Sequence, residues 1–413
     1  MTDVLVIGAG LSGLTAAVHA VRAGASVRLI ANGWGRQVVA PGWISVWDRA
    51  NGDPLAEAAE FAATAPAHPY ALVSVENLRA ALAAFEEITG MIGLPYKHAP
   101  GRNLRLPTLL GAIQTPLMAP RGVAQGDLTG LDGELLIVGF TGWRDFYPDP
   151  LAGNLARQGI QARAVWVNAP VTPGAWDQWP GDLARALDDE STRAAVIEQV
   201  FPHVKDAARI GFPAVLGWQN PAAVLDHMAD ALQRPVFEIP TLPPSNAGTQ
   251  LGNRLRRWLL RQRARVQIGH PVVKAIVEGS RCLGVEVGAL GHTNSFFADH
   301  VILATGGLYN GGIVSDETGH LWEPIFGLPV QAPPGEERTG WYAERLLDPN
   351  GHPIHRDVGV CVDAALRPPQ LENVRVVGHL LAGFNPLTGG CAEGVDLATA
   401  YHAVQNILGS NHA

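Results

Sequence analysis

The sequence predicts an α/β chain. It has a mostly parallel, Rossmann-like sheet with a small antiparallel meander, assembled from N-terminal, central and C-terminal segments, and an inserted α/β unit. Three observations predict it. Residues 4–30 read strand, glycine turn, helix, strand, which is one βαβ unit in about 30 residues. Val301–Ala304 and Val374–Val377 read as short buried strands, the first ending in Thr305-Gly306-Gly307 and the second at Gly378. Residues from about 130 to 240 carry a strand and helix alternation of their own.

Taken in order, Val4-Leu-Val-Ile7 reads as a buried parallel strand. Leu14, Ala17, Val18 and Val21 then recur at helical spacing, and Gly24 is placed as a C-cap. Val27–Ile30 is a second strand. Residues 34–70 are rich in Gly, Pro, Trp and Ala and read as loops with one short helix; 76–93 read as a helix. Glu134–Phe140, Gln161–Val167, Pro213–Gly217 and Pro235–Ile239 read as the strands of the inserted unit. The breaker Pro240-Thr-Leu-Pro-Pro-Ser245 precedes a helix from Asn246 to about Arg265. Its Leu251, Leu255, Trp258 and Leu259 form an apolar stripe, and Arg254, Arg257 and Arg261 a basic one. Short alternating strands occupy 266–287, proline-rich loops 313–370, and a final helix follows the glycine-rich loop 383–394. The expected division is a cofactor domain of 1–50, 250–312 and 370–413, a substrate or cap region at 51–249 and a loop-rich segment at 313–369 near the cofactor.

Composition bounds the function. The chain has 413 residues, 47% apolar and 16% charged, enough to bury large cores and too long for one. A net charge of -8 gives no overall attraction to nucleic acid or anionic lipid. The three cysteines, Cys282, Cys361 and Cys391, are too scattered for a disulfide framework, an iron–sulfur cluster or a metal site. No signal peptide and no apolar run of about 20 residues is seen, so a cytoplasmic chain without its own membrane span is expected.

The chemistry starts at Gly8-Ala-Gly10-Leu-Ser12-Gly13, in the strand-to-helix context that this pattern requires. Gly8 permits the tight turn, Gly10 lets backbone approach a pyrophosphate, and Gly13 lets the helix pack close to the strand. The helix start then offers unpaired N–H groups and a positive dipole end to phosphate. One expected group is missing. The acid that holds an adenosine ribose at the end of the second strand is Ala31 here, with Asn32 beside it as a hydrogen-bonding substitute.

Val301-Ile-Leu-Ala-Thr305-Gly306-Gly307 resembles the Ala-Thr-Gly segment of two-dinucleotide-type flavoproteins, and Asn373-Val-Arg-Val-Val-Gly378 their C-terminal strand. Gly389-Gly390 then precedes a helix whose N-terminus faces a flavin ring. The cofactor-binding set read from these pieces is Gly8, Gly10, Ser12, Gly13, Asn32, Gly42, Thr305, Gly306, Gly378, Gly389 and Gly390. His379 departs from the pattern, which commonly carries an acid after that glycine.

Pro66-Ala-His68-Pro69-Tyr70, Thr241-Leu-Pro-Pro-Ser245, Glu323-Pro324-Ile325, and Gly383-Phe-Asn-Pro386 through Cys391 carry a closer resemblance. Together, in order and over nearly the whole chain, they resemble the B subunit of anaerobic glycerol-3-phosphate dehydrogenase. The resemblance implies a flavin subunit of a three-part enzyme that oxidises sn-glycerol 3-phosphate to dihydroxyacetone phosphate and passes electrons to a quinone. It implies a second flavin subunit and an iron–sulfur, membrane-docking subunit as partners, with peripheral attachment to the inner face of the cell membrane through them. It implies FMN; the glycine motif implies FAD, and the two stay open. Other readings are a stand-alone flavin oxidoreductase of another substrate, or a non-catalytic relay or assembly subunit, the last motivated by Ala31 and His379.

Secondary-alcohol oxidation by a flavin needs a base for the hydroxyl proton. His379, after the last strand, and Glu393, at the start of the last helix, are the candidates. The blander readings are a backbone-satisfied histidine and an acid suited to a first helical turn. Likewise His68 reads as a structural hydrogen-bonder, Arg144 and Asp145 as a ligand site or a local pair, and the arginine stripe as a solvated face or a docking site. Cys391 reads as a small buried residue or a redox group.

Overall fold

Apolar runs without alternation want both faces covered, and the chain satisfies them in parallel sheets. A computed structural model describes residues 2–169, 179–331, 338–345, 348, 352, 354 and 358–409. In chain order its main elements begin with β1 (Val4–Ala9), α1 (Leu11–Arg22), β2 (Val27–Trp34), α2 (Pro54–Thr64), α3 (Pro69–Val73) and α4 (Val75–Met91). The middle of the chain forms β3 (Glu134–Thr141), α5 (Pro148–Arg157), β4 (Ala162–Asn168), α6 (Glu190–Val200), β5 (Ala207–Pro213), α7 (Pro221–Leu232) and β6 (Val236–Ile239). Then come α8 (Asn246–Arg261), β7 (Arg265–Ile268), β8 (Val272–Glu278), β9 (Arg281–Ala289), β10 (His292–Phe297), β11 (His300–Leu303), β12 (Val374–Val376) and α9 (Ala392–Leu408). Between β11 and β12, residues 332–337, 346–347, 349–351, 353 and 355–357 lie outside the described residues, as do 170–178 of the inserted unit.

The first sheet is five-stranded, in the order β7-β2-β1-β11-β12, and every pairing in it is parallel. Val4 to Ile7 are at most 2% exposed at its centre. Helices α1 and α9 pack on each other, and α9 also packs on α4. Residues of α2 to α4 bury their apolar faces in this same core. The second sheet has the order β6-β5-β3-β4, again all parallel, over a separate apolar cluster. The antiparallel meander β8-β9-β10 sits beside the first sheet.

Local chemistry explains where these bounds differ from the sequence pattern. The stretch 34–70 holds helices because Asp53 and His68 each cap an N-terminus and are each followed by proline, preset for a first turn. The third strand of the inserted unit is Ala207–Pro213, not Pro213–Gly217. Its polar start is satisfied, since Arg209 donates to the carbonyls of Gln125 and Asp127 at 3.3 and 2.6 Å. β2 runs on past Ile30 to Trp34, which pairs with Ala9 after a register shift.

Candidate cofactor site

The carboxyl ends of β1 and β11 meet at Gly8. Its φ is +116°, and a Cβ there would lie 2.1 Å from the Ala304 carbonyl oxygen, so only glycine closes this turn. A Cβ on Gly13 would lie 2.1 Å from the Gly8 carbonyl oxygen, which brings α1 down onto the strand end. Gly10 differs: the nearest heavy atom to a Cβ there would be Gly35 Cα at 4.0 Å. Space is therefore left over the Gly10 backbone. Helix α1 starts with no side-chain cap and no acid in its first turn, whereas Asp53, Ser74 and Ser245 cap α2, α4 and α8. Its first N–H groups remain as donors.

These features open on a cavity of about 390 Å³. Gly8, Gly10, Ser12, Asn32, Gly42, Thr305, Gly306, His379 and Glu393 all line it. Gly13, Gly378, Gly389 and Gly390 do not line it. Gly378 (φ +69°) donates its N–H to Thr399 Oγ1 at 3.0 Å, and a Cβ there would crowd Ser12 Oγ and Asp396 Oδ1. Gly390 accepts the Asp48 N–H at 2.9 Å, and a Cβ there would strike the Asp48 carboxylate. Beyond the glycine loop the cavity continues past Ala31 and Asn32 to Pro271 and Val272. The ribose acid is absent, and the Ala31 carbonyl instead accepts the N–H groups of Gly269 and His270 at 2.9 and 3.0 Å.

The opposite end is polar. Arg36 pairs with Glu393 at 2.5 Å, and the second Glu393 oxygen accepts the Ser45 N–H at 3.3 Å. Burial, aided by the Arg36 charge, lowers the His379 pKa to about 4, so the imidazole is neutral at pH 7. Its Nε2 lies 3.5 Å from Asp396 Oδ2, too far for a good hydrogen bond; with the ring neutral this contact is not an ion pair. Burial raises Asp396 to about 7, against the Arg36 charge and a hydrogen bond from Ser12.

A buried polar atom needs a partner, and three on this wall have none among the described residues: Gln37 Oε1, Thr305 Oγ1 and His379 Nε2. Together with the uncapped α1 and the room over Gly10, they fit a bound group with a phosphate centre and polar edges. Arg36, Gln37 and Asp396 escape pattern reading. Arg36 and Gln37 sit in a single 3₁₀ turn, and Asp396 is an ordinary acid of α9 until folding buries it.

Other singled-out residues lie elsewhere. His68 caps α3, accepting the Tyr70 N–H at 3.1 Å, and burial lowers its pKa to about 4. Burial pushes the Cys391 thiol up to about 12, which leaves it unreactive at neutral pH. Arg144 and Asp145 follow β3 in the second sheet and do not line the cavity. Arg254 donates to the carbonyls of Ile92, Gly93, Trp218 and Gln219, while Arg257 and Arg261 are exposed. Among the described residues no helix is long and apolar enough to cross a membrane, and no group of His, Cys, Asp and Glu could hold a metal ion.

The family described as FAD binding domain matches residues 3–395. A Halobacterium salinarum protein, named as a probable B subunit of anaerobic glycerol-3-phosphate dehydrogenase, is 32% identical, over 97% of this chain and 96% of its own length. The B subunit of the Vibrio cholerae anaerobic glycerol-3-phosphate dehydrogenase is 30% identical over 98% and 96%, and that of Pectobacterium atrosepticum 29% over 98% and 98%. The chain belongs to the FAD-binding-domain family of oxidoreductases and to the B subunits of anaerobic glycerol-3-phosphate dehydrogenase.

Proposed function

We propose that this chain holds FAD in the cavity above Gly10, within an enzyme that oxidises sn-glycerol 3-phosphate to dihydroxyacetone phosphate and passes the electrons to a quinone. The observation that carries the FAD reading is the cavity's reach. It runs from His379 across the glycine loop to Ala31, Asn32 and Pro271, which provides for a ring at one end and a nucleoside at the other. The α1 N–H groups and the Gly10 backbone would face the diphosphate, with Ser12, Gln37 and Gly42 along the wall. Asn32 would hold the ribose in place of an acid, and Thr305 and Gly306 would line the space beside the flavin. A bound flavin supplies a hydride acceptor.

His379 and Glu393 are the proton-handling candidates of the ring end. Neutral His379 has an Nε2 without a hydrogen-bond partner among the described residues on the cavity wall, and burial makes it a weak proton acceptor at neutral pH. Glu393 holds Arg36 and so fixes the one Arg or Lys side chain that lines the cavity among the described residues. That pairing favours a second reading, in which this chain relays electrons and a second flavin subunit oxidises the substrate. A phosphate dianion needs cationic donors, and the single one here is already engaged. An iron–sulfur, membrane-docking subunit would complete the assembly and tie this chain to the inner face of the membrane.

Anaerobic mixing of glycerol 3-phosphate with the purified chain, then with the complete enzyme, tests both readings. Bleaching of the flavin in the chain alone supports direct oxidation. Bleaching of this chain's flavin only in the complete enzyme supports the relay, and bleaching in neither overturns the proposed substrate.

A further inference from the structure

Asp396 stands just past the first turn of α9, on the wall of the cofactor cavity, and is 7% exposed. The Thr399 hydroxyl, three residues on, donates to the Val395 carbonyl at 2.7 Å and accepts the Gly378 N–H at 3.0 Å, which ties α9 to the chain just after β12. Gly378 leaves the room that Ser12 Oγ and Asp396 Oδ1 occupy, since a Cβ there would strike both. Ser12, in the first turn of α1, hydrogen-bonds the Asp396 carboxyl. Asp396 Oδ2 lies 3.5 Å from His379 Nε2, a buried nitrogen with no hydrogen-bond partner among the described residues.

The carboxyl faces Ser12 from α1, Arg36 from the 3₁₀ turn at 36–38, His379 from the turn after β12 and the Tyr70 phenol from α3, with Glu393 near it on α9. Arg36 is held by Glu393, His379 is neutral, and burial keeps the proton on Tyr70. Burial therefore raises Asp396 to about 7, where a small change of local charge decides whether it keeps a proton.

We propose that Asp396 is the proton store of this site: its carboxylate takes up one proton when the bound cofactor is reduced and releases it on reoxidation. The inference rests on the reading that a flavin fills the cavity with its ring near His379. It holds whether the electrons come from the alcohol or from a second flavin subunit. Oxidation of a secondary alcohol to a ketone yields an electron pair and a pair of protons. The cofactor takes the electron pair with one proton and so gains one negative charge. The second proton forms an O–H bond on Asp396, because a carboxylate beside that charge is disfavoured. When another subunit supplies the electrons, the protons come from water. Reduction thus raises the carboxyl further. Between its oxidised and reduced values the extra proton enters with the electrons, and outside that window it does not.

The test is the midpoint potential of the purified, flavin-loaded full chain, titrated with dithionite and no substrate from about pH 6 to about pH 9. One extra proton per electron pair makes reduction tenfold less favourable for each pH unit, a slope steeper by about 30 mV. The expected result is this excess slope within the range for the parent and its loss in Asp396→Asn. Equal slopes, or a parallel offset of the whole line, mark a structural carboxyl and overturn the proposal. Should Asp396→Asn lose its flavin, redox difference infrared spectra of the parent decide. A protonated-carboxyl band that appears on reduction and moves when the aspartate carboxyls are isotopically labelled is expected, and its absence across the same pH range overturns the proposal. A parent chain without flavin absorbance overturns the underlying reading instead, before any titration.

Discussion

The carboxyl ends of the two parallel sheets are built in opposite ways. At the end of β1, side chains are withheld: Gly8, Gly10 and Gly13 let strand and helix close together while the space over Gly10 stays open. At the end of β3, side chains fill in. Trp143 and Phe146 are buried and stack with ring centroids 6.3 Å apart, and Pro148 packs so close to Gly139 that a Cβ there would lie 2.5 Å from its Cδ. On β6, partly buried Glu238 accepts the Leu216 N–H at 2.9 Å. Both sheets obey the same parallel architecture. Whether a strand end becomes a site is decided by the few residues just past it, which is why fold alone does not assign function.

The largest expected effect separates two glycines of one loop. Gly8→Ala combines a forbidden φ with a clash against Ala304, and is expected to cost about 3 kcal/mol or more in a thermal melt. Gly10→Ala meets open space and should change stability by about 1 kcal/mol or less, yet strip the flavin, as read by absorbance. Equal destabilisation by both would break the distinction between a structural glycine and one that makes room.

The next effect uses one acid in each sheet region, Asp396 buried and Glu238 partly buried. Burial raises Glu238 from 4.5 to about 7 and Asp396 from 3.8 to about 7. Each folded pKa lies above its unfolded value, so between the two the native state holds the extra proton. Stability therefore falls as pH rises across that window, by at most about 1.4 kcal/mol per pH unit for each group. Glu238→Gln, which keeps the oxygen for Leu216 N–H, should be more stable than the parent at pH 8 and nearly equal at pH 4.5, measured by denaturant melts. Flavin loading should alter the pH dependence due to Asp396, which lines the cavity, and leave that of Glu238 alone.

Smaller effects follow from the polar clamps between these regions. Arg254→Ala loses donors to four backbone carbonyls and is expected to cost about 2 kcal/mol, while exposed Arg257→Ala stays within about 0.5 kcal/mol. His68→Ala removes one helix cap, at about 1 kcal/mol. Thermal melts of the three variants rank them.

The same contrast between local and distant contacts governs what is legible in the sequence. β1, the glycine turn and α1 are legible because their signals are local: an apolar run, three glycines at fixed spacing and a helical stripe. Thr305 and Gly378 are legible for the same reason, each following a short, mostly apolar strand. Helices α2 and α3 hide in a stretch that looks like loop, although Asp53-Pro54 and His68-Pro69 are start signals with a physical meaning. Arg36, Gln37 and Asp396 have no local signal. Gln37 reaches the site only because its side chain donates to the Ala9 carbonyl at 2.8 Å, and Asp396 only because α9 packs on α1. Their roles come from contacts between residues far apart in the chain.

The central claim, that FAD fills the cavity above Gly10, is tested most directly by purifying the chain, releasing its cofactor with acid and weighing it by mass spectrometry. The predicted result is a yellow protein absorbing near ~450 nm that yields FAD, and a Gly10→Ala chain that yields none. A colourless parent chain, or one that yields only FMN, would contradict the claim.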